Sequence, residues 1–208
     1  GATTVSASIW IAYNAGLFVF STGGIGGVHR KIEKNLDISQ DLISLSKTPV
    51  ITISSGAKSI LDLPKTVEAL ESLGIPVVGY KTGFFPAFYT RSSGLKIPNV
   101  VNTAKLVSLL FQKHINIGLT SALLVVNPIS KTKEIPREII DELINDSMID
   151  AERKRVEGKD LTPFLLKNIL QKTGGRGLSA NISLAEDNIN IGAKIAKQLY
   201  KSDSLSLN

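Results

Sequence analysis

The sequence has no cysteine. Disulfides, thiolate catalysis and cysteine-held zinc or iron–sulfur centres are therefore excluded within its 208 residues. The absence is compatible with a reducing compartment, and a cytoplasmic location is the expectation. No apolar run reaches the length of a membrane span. Nor is there a basic stripe interleaved with aromatics, the pattern expected of a nucleic-acid binder. The one basic run, Arg153 to Arg155, has acidic neighbours on a predicted helix and reads as a solvated face. A net charge of +6 suits phosphate-bearing ligands or only a soluble surface. Methionine occurs once, at Met148, and the chain opens on Gly1 with no signal-peptide layout. The expectation is a chain processed, or taken from within a longer protein, with structure preceding its first helix.

What is present alternates. Thr3 or Thr4 is placed to cap a first helix through Ala7, Ile9, Ile11 and Ala12. Leu17 to Phe20 reads as a short strand, and Ser21 to Arg30 (STGGIGGVHR) as a glycine-rich turn. A helix follows with Leu42, Ile43 and Leu45, capped by Asp37 or Ser39. Pro49 to Ile53 is a strand, Pro64 opens the next helix, and Val77 to Tyr80 is a strand after Gly74. Thr82 to Gly94 is aromatic and irregular, a segment more often core or interface than ligand contact. Asn102 or Thr103 starts a helix through Leu110, and Leu119 to Val126 is a further strand. From Pro136 the chain reads as helical to its end. One face carries Ile139, Ile140, Leu143 and Ile144, and Thr162 and Pro163 open another helix. Thr173 to Asn181 separates that helix from a last one, and the tail from Lys201 is polar and frayed. This alternation predicts a single α/β domain over residues 1–208. It has a largely parallel sheet flanked by helices (α/β/α) and a helical C-terminal part.

The chemistry centres on Lys58. It follows an apolar strand and lies among small residues, where open α/β sheets place ligands. Most lysines are solvated surface charges. An amine in a dry site is instead a nucleophile towards carbonyl carbon. Asp37 is first of all a helix cap. It also offers a hard oxygen to Mg²⁺ or Mn²⁺. The N–H groups of Ser39, Gln40 and Asp41 are placed to meet a phosphate oxygen at a helix start. Two nucleotide motifs fail on spacing. The glycines after Ser21 lack the third glycine of the dinucleotide fingerprint, and Gly56 to Ser59 lacks glycine directly before lysine.

Eight segments occur in one order: GATTVSAS, FSTGGIGGVHR, LDISQDL, SSGAKSILDLPKT, FPAFYTRSSG, ANPI-like VVNPI, LTPFLLK and TGGRGLSANI. Together they closely resemble the pseudouridine-5'-phosphate glycosidase family, also called indigoidine synthase A-like, over its C-terminal two-thirds. The resemblance implies reversible cleavage of the C–C glycosidic bond of pseudouridine 5'-phosphate to uracil and ribose 5-phosphate. It implies Mn²⁺ and a homotrimer, with small-molecule substrates and neither nucleic acid nor membrane as partners. Lys58 matches the family's nucleophile and Asp37 its metal ligand. Ser39, Gln40 and Asp41 match its substrate-binding triplet, and Val5 a backbone contact to substrate. Asn181 and His29 lie in motifs that look like active-site walls; His29 reads equally as structural, and His114 as structural. The family's proton-donating glutamate and a substrate-binding lysine lie upstream of GATTV. Two alternatives stand beside this reading: a truncated, inactive scaffold or interaction protein, and, on the glycines alone, a nucleotide-cofactor enzyme.

Overall fold

The computed structural model describes residues 4–30, 36–156 and 160–201. Thr3, the start of the first motif, Asn35 and the tail beyond residue 201 lie outside the described residues. Five strands form one parallel sheet: β1 (Val19–Ser21), β2 (Ile51–Ser54), β3 (Val77–Tyr80), β4 (Val100–Val101) and β5 (Leu123–Val126). Their order across the sheet is β1-β2-β5-β3-β4. Seven helices are described: α1 (Val5–Asn14), α2 (Gln40–Lys47), α3 (Leu63–Ser72), α4 (Ala104–Asn116), α5 (Arg137–Arg153), α6 (Leu161–Lys172) and α7 (Arg176–Leu199).

Strand periodicity sorts the core into two halves. Ile51, Ile53, Val78, Leu123 and Val125 face Val107 and Phe111 of α4 and Ile195 and Leu199 of α7. Leu124 and Val126 face the other way, onto Leu42 and Leu45 of α2, Leu70 of α3, Ile140 and Ile144 of α5, and Ile169 of α6. Helix α7 serves both halves, because Ala180 and Leu184 near its start join the second cluster. Helices thus cover both faces of a parallel sheet.

Caps set the helix starts. Thr4 accepts from Ala7 N–H, Asp62 from Lys65 N–H and Thr103 from Leu106 N–H. The expected strand at Leu17–Phe20 begins later, because Leu17 N–H closes α1 on Ala12 O around Gly16 at φ +73°. The expected strand at Leu119–Val126 is likewise shortened. Leu119 N–H returns to His114 O and Ala122 N–H to Leu45 O before pairing starts at Leu123. The last helix starts earlier than expected. Only Thr173–Gly175 is a turn, Gly175 taking φ +86°, and residues from Arg176 are helical. The two-residue β4 has no periodicity to read in the sequence. Arg153, Lys154 and Arg155 are all exposed, as a solvated face requires. No helix among the described residues is long and apolar enough to cross a membrane.

Candidate active site

All five strands run the same way, so their carboxyl ends share one edge of the sheet. From β2 the chain passes through Ser55, Gly56 and Ala57 to Lys58. Gly56 sits at φ +79°, and a Cβ there would collide with the carbonyl of Pro86, so the tight turn requires glycine. The backbone on either side of Lys58 is clamped. Its own N–H donates to Ile25 O at 3.1 Å, and its C=O accepts from Leu61 N–H at 3.0 Å. The side chain is half-buried.

Residues 23–28 lie alongside this turn and spend their backbone groups on the protein. Ile25 N–H donates to Gly56 O, Gly26 N–H to Asp41 and Val28 N–H to Thr66 Oγ1. Gly23 O accepts from Ser55 N–H, and Gly27 O from Ser39 N–H. A phosphate cradle needs free N–H groups, and this loop has given those three away. The glycines serve close approach of chain to chain, which explains the failed nucleotide spacing.

His29 and Asp37 come together beside Lys58. Their N–H and C=O pair at 3.0 Å, and His29 Nδ1 lies 3.6 Å from Asp37 Oδ2. Asp37 is 41% exposed and His29 17%. Burial holds the imidazole below its ordinary 6.5. Asp37 opposes that shift, and the Lys58 charge adds to it. His29 is therefore neutral at pH 7. The pair brings a hard carboxylate oxygen and a neutral ring to the lysine.

The expectation of three free N–H groups at Ser39, Gln40 and Asp41 needs correction. Ser39, not Asp37, is the N-cap of α2: its Oγ accepts from Asp41 N–H. With Ser39 N–H spent on Gly27 O, only Gln40 of the three N–H groups has no partner among the described residues. Three free donors for a phosphate are reduced to one, because capping and the glycine loop take the others. The carboxylate of Asp41 is buried, accepting Ser6 N–H at 2.9 Å and Gly26 N–H at 2.8 Å. It ties the starts of α1 and α2 to the glycine loop. Val5, half-buried, is the first residue of α1, so the positive ends of two helices meet at this carboxylate.

Asn181 lies on α7 rather than in a loop. Its Oδ1 is buried, as is the hydroxyl of Tyr89, and neither has a well-aligned hydrogen bond among the described residues. The two side chains are neighbours. Burial pushes the Tyr89 phenol above its ordinary 10.0, and the Asn181 amide pulls the other way. Tyr89 is fully buried with its ring edge-on to Phe88, whose N–H donates to Ser55 O at 3.1 Å. The aromatic segment is thus core, and it braces the turn before Lys58.

A second asparagine went unread in the sequence. Asn188 of α7 is fully buried. Its Nδ2 donates to Thr22 O at 2.8 Å and to Ser55 Oγ at 3.1 Å. Its Oδ1 accepts from Asn127 Nδ2 at 3.0 Å, and its C=O from Ser21 Oγ. One side chain thereby ties the carboxyl ends of β1, β2 and β5. Its place in an acidic stretch, LAEDN, gave no sign of burial.

A profile described as "Indigoidine synthase A like protein" matches residues 1–198. The chain belongs to the indigoidine synthase A-like family. A pseudouridine-5'-phosphate glycosidase of Staphylococcus aureus strain MW2 is 47% identical over 201 residues, covering 97% of this chain and 66% of that protein. A crystal structure of an indigoidine synthase A-like protein from Thermotoga maritima superposes with a TM-score of 0.88 at 40% identity, over 96% of this chain and 65% of that one. The prealnumycin C-glycosynthase AlnA, in complex with ribulose 5-phosphate, superposes at 0.91 with 33% identity, over 97% and 66%. The chain thus spans slightly under two-thirds of the length of these family members.

Proposed function

We propose that this chain carries the nucleophilic part of a pseudouridine-5'-phosphate glycosidase. The observation that carries the reading is the grouping of His29 and Asp37 with Lys58, itself on a turn braced from three sides at the carboxyl edge of the sheet. The identity to glycosidases and the likeness to a C-glycosynthase holding a pentulose phosphate support it.

A C–C bond to uracil has no good leaving heteroatom. In the proposed reaction the Lys58 amine attacks C1′ of the sugar and the ring oxygen departs, taking a proton, to give an open-chain adduct. The nitrogen lone pair then expels uracil, protonated at C5, and leaves an iminium at C1′. Water hydrolyses that iminium to ribose 5-phosphate and frees the lysine. One water is consumed, and the sequence is reversible. In this reading His29, held in its neutral form by burial, takes a proton from the attacking amine. The Gln40 N–H is the remaining phosphate contact of the expected three, Val5 the expected backbone contact to substrate, and Asn181 a wall.

Manganese is the ion the resemblance implies. Among the described residues no three His, Asp or Glu side chains group as a metal cluster. Asp37 nevertheless fits a hydrated divalent ion, since one accessible carboxylate plus waters and a substrate phosphate satisfies such an ion. Asp37 would hold it, and the ion would supply positive charge to the phosphate. A homotrimer is the expected assembly. Exposed Trp10, Ile11 and Leu17 at one end of the sheet, and Leu109 and Ile117 along α4, offer apolar surface for it.

Borohydride trapping with ribose 5-phosphate tests the reading. One reduced adduct is expected on the Lys58 peptide, with uracil released from pseudouridine 5'-phosphate by the full-length protein in Mn²⁺. An adduct on another lysine, or none, would sink it.

A further inference from the structure

Beside the Lys58 turn, but not part of it, lies a cavity of about 270 Å³. Arg30, Ser59, Asp62, Thr90, Arg137 and Asp141 line it with Ser93, and none of Lys58, His29 or Asp37 borders it. The chain alternates here. His29 turns to Asp37 and Lys58, while Arg30, next in sequence, reaches Ser59 O at 3.4 Å.

The charges in the cavity are not equally committed. Asp141 is held by Arg137 at 3.3 Å, and Asp62 by Lys65 at 3.1 Å. Arg137 also donates to Ser93 O at 2.8 Å. Thr90 Oγ1 donates to Ile135 O. Arg30 is different. Its contact to Ser59 O is long, and its Nε is buried with no acceptor among the described residues. Ser59 is 5% exposed, and its Oγ is buried and equally without a partner among them. An uncompensated buried donor costs about 1–3 kcal/mol, and more when charged. The residues that carry these two donors both line the cavity, close to the start of α3 at Leu63 and Pro64, with the donor atoms themselves lying just behind its wall. Both are completed by the same thing, an acceptor carrying negative charge.

We propose that this cavity is a binding site for a small oxyanion, separate from the Lys58 site. Arg30 supplies the charge and Ser59 a hydroxyl, with the two carboxylates neutralised by their own cations. The volume lies just below the usual range of small-molecule sites, about 300–1,000 Å³, which favours a ligand of few atoms. The ligand group is a carboxylate or a phosphate. A bound anion would act on residues adjacent in sequence to His29 and Lys58. The proposal does not depend on the glycosidase reading.

Isothermal titration with inorganic phosphate and, separately, acetate tests it and distinguishes the two groups. Saturable binding of one anion is expected. Arg30→Gln should weaken it at least about tenfold, the value of a charge-assisted hydrogen bond. Ser59→Ala should weaken it several-fold, and Lys58→Ala should leave it unchanged. Ser59→Ala removes a hydroxyl that has no partner among the described residues. It therefore carries the test if Arg30→Gln does not fold. Absence of saturable binding for both anions overturns the proposal. So does binding that survives both cavity variants, which places the anion elsewhere, at the lysine if Lys58→Ala abolishes it and at the Gln40 N–H if Lys58→Ala does not.

Discussion

Two histidines of this chain sit in opposite kinds of site. His114, on α4, is buried, donates from Nε2 to Ser121 O at 2.7 Å and stacks on Phe111. Ser121 in turn donates to Gly74 O, so the ring fastens a helix to the loop that enters β5. Its partners are a backbone carbonyl, the Ser121 hydroxyl and a hydrocarbon face, and none of them can change charge. His29 is partly exposed, faces a carboxylate at 3.6 Å and feels a lysine. Every partner of its side chain can exchange a proton or take a ligand. Burial alone does not separate a structural histidine from a functional one; the chemistry of the neighbours does.

Lys58→Ala gives the largest contrast between the two regions. The turn is clamped through backbone groups of Lys58, which alanine keeps. The melting temperature should therefore barely move, while sugar-adduct formation is lost and turnover falls at least about a thousandfold. A comparable fall in both would show that the lysine holds the fold. Asn188→Ala should do the reverse. It strands Thr22 O, Ser55 Oγ and Asn127 Nδ2 in the interior, so chemical denaturation should show a loss of about 2–4 kcal/mol. Asn188→Asp keeps the acceptor for Asn127 and offers one to the Ser55 hydroxyl, but sets a buried carboxylate against Thr22 O, and should lose at least as much. A smaller loss than in Asn188→Ala would mean that the missing bonds, not the buried charge, set the cost.

Much of the frame was legible because it rests on local chemistry. Thr4 and Thr103 announce helix starts by capping and Pro64 by its place in a first turn, Val77–Tyr80 reads as a strand, and Lys58 follows β2 where α/β sheets put ligands. What stayed hidden rests on contacts distant in sequence. Nothing near Asn188 signals that it reaches Ser55, 133 residues away. The donors of Ser39 and Asp41 seemed free because their acceptors, Gly27 O and the Ser39 side chain, form only once the glycine loop and the cap are built. The start of α7 was misplaced because paired glycines read as a loop. In the fold Gly175 supplies a left-handed cap, and Gly177 packs where a Cβ would crowd Thr173.

The two histidines also separate stability from chemistry. His114→Ala removes a buried hydrogen bond and a packed ring, and should cost about 2 kcal/mol in denaturant. Trapping at Lys58 should be unaffected, since the α4 region does not touch the turn. His29→Ala is the smaller and sharper change. The side chain has one neighbouring carboxylate at 3.6 Å, beyond hydrogen-bond reach, so unfolding should shift by less than about 1 kcal/mol. If the ring takes the proton of the attacking amine, adduct formation should slow at least about tenfold. His29→Gln keeps the polarity but has no basic nitrogen, and should slow it equally. Full rescue by glutamine would reduce His29 to a spacer between Asp37 and Lys58, and the proton would then need another acceptor.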